Sequence, residues 1–506
     1  MNREFVYTLA PLVPGRLEFT EPGPAELFTK EIAESLEGVL TQNFVYYAHD
    51  PFVRTSVPPR VCHDHLWSRD AGVLLRELAA WGYLGHACYL ADILLRLVEP
   101  NKDGFFSFPM YFLRGQKATG TELDGTAAIV IALTSLCGRL PKGNATRLRI
   151  EKFLMDSTSP VRYILHVFKE EPLVAGTGEF GGGMGIEGEF YNVVQNNLVM
   201  LSLLKAASLY QELDAALADV CRVAAGRLHE NILRLLVSED GRWIWCVDTK
   251  TQKPDPAVLS SDENRNFGGV NGVLAMSADA LGFDSAVYDP RVIEASEKTF
   301  LNILSEPKRW EQFQKYGIYT QFDRLHDGLL TSPAYGQGYA LQVSILLGRL
   351  DLTDKLAGFL ASATFAPPAP YNPDRTSPYH FYERMLSPDY TNLAGFDQGC
   401  GALNLVNVAE PLKAARLMAG IDDTNPNQLL LIPKLPLTWN GVKAAGWPVF
   451  TSGGITRCDM EYQKSGGACE LTFSSELPIS RVSVKLQGED GQWRESHFEN
   501  VRRFVI

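Results

Sequence analysis

Three stretches of this 506-residue chain hold the residues best suited to chemistry. "HLWSRDAG" (65–72) sets Trp67, Arg69 and Asp70 together at the mouth of an apolar, helix-like run. "GGGMGIEGEFYN" (181–192) carries Glu187 and Glu189 on a glycine-rich loop, and "YERMLSPDYTNLAGFDQG" (382–399) carries Glu383. Cleaving a glycosidic bond needs two carboxyl groups, one protonated to donate to the leaving oxygen and one ionised to activate water or attack. Flanked by Met184, Ile186 and Phe190, a glutamate at 187 would be desolvated enough to hold its proton near neutral pH. An arginine–aspartate pair beside a tryptophan is a polar grip with a stacking face, suited to a sugar ring.

Each of these residues also has a purely structural reading. Asp70 can serve as a helix N-terminal charge, a role that contributes about 0.3–1 kcal/mol. Asp124 in "ELDGTAAIVIAL" fits a helix cap as well as a ligand contact, and Glu187 and Glu189 fit solvated loop acids. Glu383 has Arg384 and Arg375 as ion-pair candidates. Trp243 and Trp245 alternate in "RWIWCVD", so one is expected in the core and only one can face a ligand. "CHDH" (62–65) is a metal-like cluster whose adjacent residues converge poorly on one ion, so no metal is expected. His63 and His65 read as hydrogen-bonding loop residues.

Helical periodicity dominates from about residue 24 to 420. Roughly twelve helices arrive in pairs, split by short turns such as "WGYLGH", "LGFDSAVYDP" and "LGRLD", with long loops once per pair. That rhythm predicts a mainly α fold, an (α/α)6 toroid of six helical hairpins, with short turns on one face and cleft-lining loops on the other. A solenoid would show a fixed-period repeat, which this sequence lacks. After residue 425 the pattern becomes short alternating strands, "NQLLLIPKLPLTWNGVKAAGWPVF" and "GGITRCDMEYQKSGGACELTFSS" among them. The expected division is therefore a catalytic barrel over 1–425 and a small β-sandwich over 426–506.

A formal charge of −12, with no basic stripe, argues against a nucleic-acid surface. No apolar run is long enough to cross a membrane, and the start lacks a signal-like segment. Eight cysteines are scattered without a CxxC pair, the pattern of reduced thiols in a cytoplasmic protein. No nucleotide-binding glycine loop follows a strand, so no organic cofactor is expected.

"HLWSRDAG" resembles the W-[ST]-R-D-[SA] element of the glucoamylase family of inverting α-glycosidases, and "ELDGTAAIVIAL" resembles that family's next acidic-Asp-Gly helix start. "GFDSAVYDPRVIEASEKTFLNIL" is similar to a structural helix of its bacterial members. The resemblance implies that Arg69 and Asp70 grip the terminal sugar and that Glu187, with Glu189 as rival, is the general acid. It also implies that Glu383, thirteen residues before Phe396, is the general base. "FDRLHDGLLTSPAYGQG" lies where the family places another substrate-binding arginine, which points to Arg324 with Tyr335 and Gln337 nearby. The C-terminal region resembles the tail domain of α-L-rhamnosidases and related six-hairpin glycosidases.

The expectation is a glycosidase that removes a terminal sugar from an α-linked oligosaccharide or glycoside by inversion. Its alternatives are a rhamnosidase-like sugar, a polysaccharide lyase, or a carbohydrate-binding protein on the same ring.

Overall fold

Several helices begin where the sequence supplies a cap. Asn144, Asn192, Asp214, Asp289 and Asn404 each turn a side-chain oxygen onto backbone N–H groups of the helix that follows. Each such bond satisfies a donor the helix itself cannot. The computed structural model describes residues 14–21, 23–46, 50–57, 64–169, 171–177, 189–254, 268–319, 331–365, 384–386, 403–452, 454–465, 468–488 and 491–506. Of residues 268–271, 308, 331–335, 363–365 and 384–386 it describes only the backbone.

Six helices form an inner ring: α2 (Ser68–Ala80), α4 (Leu123–Arg139), α7 (Val193–Leu213), α9 (Gly268–Leu281), α12 (Ala334–Leu346) and α14 (Leu405–Ala419). Each packs on the next, and α14 packs back on α2, which closes the ring. Around it run α1 (Pro24–Gly38), α3 (Leu84–Leu97), α5 (Ala145–Met155), α6 (Pro160–Phe168), α8 (Ala215–Leu235), α10 (Pro290–Leu304), α11 (Pro307–Tyr316) and α13 (Leu350–Phe365). The architecture is the expected (α/α)6 toroid.

Burial separates the two layers. Every residue of α14 is buried, and every residue of α2 except Arg69. An outer helix such as α10 buries a single stripe, Ala295, Ser296, Thr299, Phe300, Ile303 and Leu304, at helical spacing. Inner helices approach closely where the sequence is small. A Cβ at Gly72 of α2 would stand 2.7 Å from the Ala128 carbonyl carbon of α4, so only glycine fits.

The ring axis is filled by a buried lattice of three cations and three anions. Arg76 bonds Glu77 (2.9 Å), Asp279 (2.6 Å) and Glu410 (3.4 Å), Arg416 bonds Glu77 (2.8 Å), and Lys413 bonds Asp279 (2.5 Å). Burial alone would raise the Glu77 carboxyl, but Arg416 and Arg76 outweigh it and bring its pKa down to about 2.

Among the described residues, fifteen short and long strands complete the fold; seven of them make one curled sheet. These are β1 (Arg16–Thr20), β10 (Ile421–Asp422), β11 (Leu429–Leu431), β12 (Gly441–Thr451), β13 (Gly454–Ser465), β14 (Ala468–Gln487) and β15 (Trp493–Val505). Along its twenty residues β14 changes partner, from antiparallel β13 to parallel β11, with β15 on its other edge. Two strands from outside 426–506 join this sheet: β10, and β1, which pairs with β12.

The sheet covers the short-turn end of the ring. Trp447 meets Trp81 at the α2–α3 turn, with ring centroids 4.9 Å apart. At the α9–α10 turn Gly282, at φ +88°, leaves no room for a Cβ beside Asp422. Asp423 takes both N–H arms of Arg139 at 2.9 Å, and the Arg139 guanidinium lies 4.3 Å over Phe450. Among the described residues, no helix is long and apolar enough to cross a membrane.

Candidate active site

Five of the inner helices are each followed by an outer helix through a short turn, and α14 by β10 of the sheet at that same end, so the N-termini of the inner helices share the opposite face of the ring. Their partial positive charges point into that face and favour ionised carboxylates there. Three two-stranded ribbons stand at alternate N-termini. They are β4 (His65–Trp67) with β5 (Tyr111–Leu113), β6 (Phe190–Asn192) with β7 (Cys246–Asp248), and β8 (Thr331–Pro333) with β9 (Arg384–Leu386). The first strand of each ribbon runs directly into α2, α7 or α12.

The first ribbon and the helices beside it gather most of the expected substrate-binding residues. Arg69, in the first turn of α2, donates to the Asp124 carboxylate at 3.1 Å; Asp124 is fully buried and Arg69 half-buried. Asp124 therefore does not cap α4. Glu122 holds the cap position without a side-chain cap bond, and the Asp124 side chain faces across to α2. Asp70 is buried in the first turn of α2. Trp67 is the residue just before α2, and its backbone N–H donates to the Thr55 hydroxyl at 2.7 Å. Below this pair Arg69, Gly72, Arg76, Asp279 and Tyr339 line a narrow cavity that ends on the axial ion lattice. Burial drives the Tyr339 phenol well above its ordinary range, so it stays a neutral donor there.

Glu187, Glu383 and Arg324 lie outside the described residues, and Tyr335 is described in its backbone alone. Glu189 is exposed just ahead of β6, and its carbonyl accepts the Thr249 N–H at 3.0 Å. The chain on either side of the 178–188 stretch is clamped. The Gly176 N–H donates to the Phe190 carbonyl at 2.6 Å. Gln195 of α7 accepts from the Thr177 N–H (3.0 Å) and donates to the Ala175 carbonyl (2.9 Å). Asn196 grips Val174 in the same two-sided manner, and the Thr177 hydroxyl accepts the Leu123 N–H at 2.9 Å. The roots of the stretch holding Glu187 thus sit on the first turns of α4 and α7.

Gln337 is built the same way. Fully buried on α12, its amide accepts the Tyr319 N–H at 2.9 Å and donates to the Tyr319 carbonyl. Those two bonds hold the chain where it leaves α11. Trp243 and Trp245 depart from expectation. Both are buried, and Trp243 is held by Ser296 (3.0 Å) and Thr299 (2.9 Å) of α10, so neither indole is open to a ligand. Sequence reasoning missed Gln195 and Asn196, although "NVVQNNLVML" signals them: three consecutive amides inside an apolar helix need partners. Tyr111, opposite Trp67 across the first ribbon, left no such mark.

A second titratable cluster lies on the outer wall. His229 bonds Asp289 at 2.9 Å beside Glu230, but Arg291 already binds both Glu230 (2.9 Å) and Asp289 (2.7 Å). An ion pair fills the place a metal would take.

No family model matches the sequence, and no curated protein matches it. Solved structures do. The α-L-rhamnosidase of Streptomyces avermitilis, complexed with L-rhamnose, superposes with a TM-score of 0.59 at 14% identity, over 97% of this chain and 42% of its own. The α-L-rhamnosidase from Dictyoglumus thermophilum gives 0.60 at 12% identity, over 97% of this chain and 50% of its own. The glucoamylase from Saccharomycopsis fibuligera gives 0.53 at 13% identity, over 79% and 96%. This chain therefore spans half or less of the two rhamnosidases it resembles. At such identities the shared property is the fold, a six-hairpin ring with, in the rhamnosidases, the region of the C-terminal sheet as well.

Proposed function

We propose that this chain is a glycoside hydrolase that releases a terminal sugar from an α-linked oligosaccharide or glycoside with inversion. The observation that carries the reading is Arg69. It is the one residue of α2 that is not buried, it is fixed to a fully buried Asp124, and it stands beside Trp67 at the N-terminal face of a closed ring. A planar cation held on a buried carboxylate has the direction of its fork fixed. That geometry suits neighbouring hydroxyls of one sugar, with the indole as its stacking face.

In this mechanism Glu187 protonates the leaving oxygen and Glu383 activates water on the opposite face of the ring; Glu189 is the rival acid. Thr177, just ahead of the stretch that carries Glu187, is clamped to α4 and α7, which supports this reading. Gln337 acts on the sugar indirectly, by fixing the chain ahead of Arg324. Inversion corresponds to carboxyls about 6.5–9.5 Å apart, retention to about 5–5.5 Å.

For the sugar itself, the "LWSRD" element favours a glucoside. A rhamnoside is the second reading, because likeness to the rhamnosidases extends over 97% of this chain and likeness to the glucoamylase over 79%.

The test is turnover of aryl α-D-glucosides and α-L-rhamnosides by Glu187→Gln and Glu383→Gln, with Glu189→Gln beside them. Loss of roughly a thousandfold in kcat is expected for the first two. Full retention in both would remove the two-carboxylate assignment. NMR of the first-formed anomer reads the stereochemistry, and an unsaturated uronate product would point to a lyase instead.

A further inference from the structure

The β4–β5 ribbon extends the Trp67 face with two further rings, Tyr111 and His65, that the grip on one terminal sugar does not use. Its burial alternates. Leu66 and Phe112 are fully buried against the core, whereas His65, Trp67 and Tyr111 are half-buried and Leu113 is exposed on the opposite side. The core needs only one side of a ribbon. The other side is a contiguous run of rings. Tyr111 lies directly across from Trp67 with centroids 5.4 Å apart, and it meets His65 at 4.7 Å, edge to face.

Two polar atoms at this surface lack partners among the described residues. The Trp67 indole N–H and His65 Nδ1 are both shielded from water and make no hydrogen bond. Groups in that condition call for a partner, since buried polar atoms are nearly always paired. The backbone beneath them is fixed. Thr55 accepts the Trp67 N–H, the Asp64 carbonyl accepts the Arg114 N–H at 3.0 Å, and Arg114 pairs with Asp50 at 2.7 Å. A rigid aromatic surface binds rings without first losing conformational freedom.

We infer that Tyr111 and His65 form a second ring-binding subsite, one that takes the leaving-group side of the substrate. β4 runs straight into α2, so these rings stand on the ribbon that carries Trp67 up to Arg69. His65 and Trp67, two apart on β4, are separated by about 6.8 Å along the strand, the span of one six-membered ring and its linking oxygen. The substrate class is thereby narrowed to glycosides whose leaving group carries a ring close to the cleaved oxygen, a second sugar or an aryl group, over those with small alkyl leaving groups. This rests on the glycosidase reading, and the test separates the two.

The experiment compares benzyl and methyl glycosides of α-D-glucose and α-L-rhamnose, whose leaving alkoxides are of near-equal basicity, with a disaccharide of the same terminal sugar run in parallel. In the wild-type protein kcat/KM favours the benzyl over the methyl glycoside. In Tyr111→Ala that ratio falls about tenfold, as expected for loss of a stacked ring, and Tyr111→Phe restores it. A ratio that Tyr111→Ala leaves unchanged, or a wild-type protein without the preference, overturns the subsite. A fall with either the benzyl or the disaccharide ring upholds it, and the larger fall names the preferred ring. If the wild-type protein hydrolyses none of these compounds, the glycosidase reading fails. Calorimetric binding of the same pair then decides the subsite alone: tighter benzyl binding that Tyr111→Ala abolishes sustains it, and equal binding refutes it.

Discussion

Arg69 and Asp124 come from two different inner helices and meet at 3.1 Å, with the carboxylate fully buried. Neither side chain has the same meaning alone. Asp124 anchors the guanidinium, and the guanidinium is the part left accessible. Removing the anchor should therefore damage binding more than folding of the cleft wall. Asp124→Asn is expected to lower kcat/KM roughly a hundredfold, because the Arg69 fork loses its fixed direction. Arg69→Lys should do nearly as much harm, since a point charge cannot reproduce a planar fork. Steady-state kinetics beside a melting curve checks both. A large Tm drop with unchanged kcat/KM would mean the pair is structural.

At the scale of the element, α1 carries an anomaly that the cleft does not explain. Glu31 is fully buried in it, with only a long bond from Ser35 (3.4 Å), and one carboxylate oxygen has no partner among the described residues. Burial pushes its pKa up to about 8, slightly offset by Ser35. The folded pKa lies above that of the unfolded chain, so the folded state keeps the proton longer. Stability is then lost as pH rises through the interval from about 4.5 to about 8 and is level above it. The loss is on the order of 5 kcal/mol. Glu31→Gln, which cannot ionise, should remove this decline. Melting temperatures at intervals between pH 5 and pH 9 (roughly the span of the shift) check it: the difference between variant and wild type should grow with pH, and a constant difference would refute the assignment.

At the scale of the whole molecule, the axial lattice ties α2, α9 and α14 together through charges that cancel, three against three. It also ends the cleft, since Arg76 lies two turns along α2 from Arg69. Taking one member away leaves a buried charge uncompensated, which costs about 3–5 kcal/mol. Glu77→Gln, which strands Arg416 and part of Arg76, should lower Tm by several degrees. Because the pair is buried, added salt should leave that penalty nearly unchanged. Thermal unfolding at low and high salt distinguishes this from a surface effect.

Helical periodicity and the placing of short turns determined the ring on their own. An inner helix that is buried on all sides and an outer one with a single stripe can pack stably only in two layers, and short turns at regular places leave little choice of connection. The same patterning marked the strands after residue 425, but not β1, whose five residues read as nothing in isolation and become a strand only against β12. Among site residues, "LWSRD" was legible because a Trp, an Arg and an Asp at a helix mouth form one local unit. The role of Asp124 was not, because its partner stands on another helix. The two tryptophans of "RWIWCVD" misled for a related reason: alternation tells which residues share a face, whereas tertiary packing buries both, Trp243 against α10. Tyr111 and the axial ions belong to this second class. The sequence by itself determined periodicities and local units, which depend on neighbours along the chain. The tertiary structure decided which charges cancel and which rings share a surface, because those depend on distances between elements that no local pattern encodes.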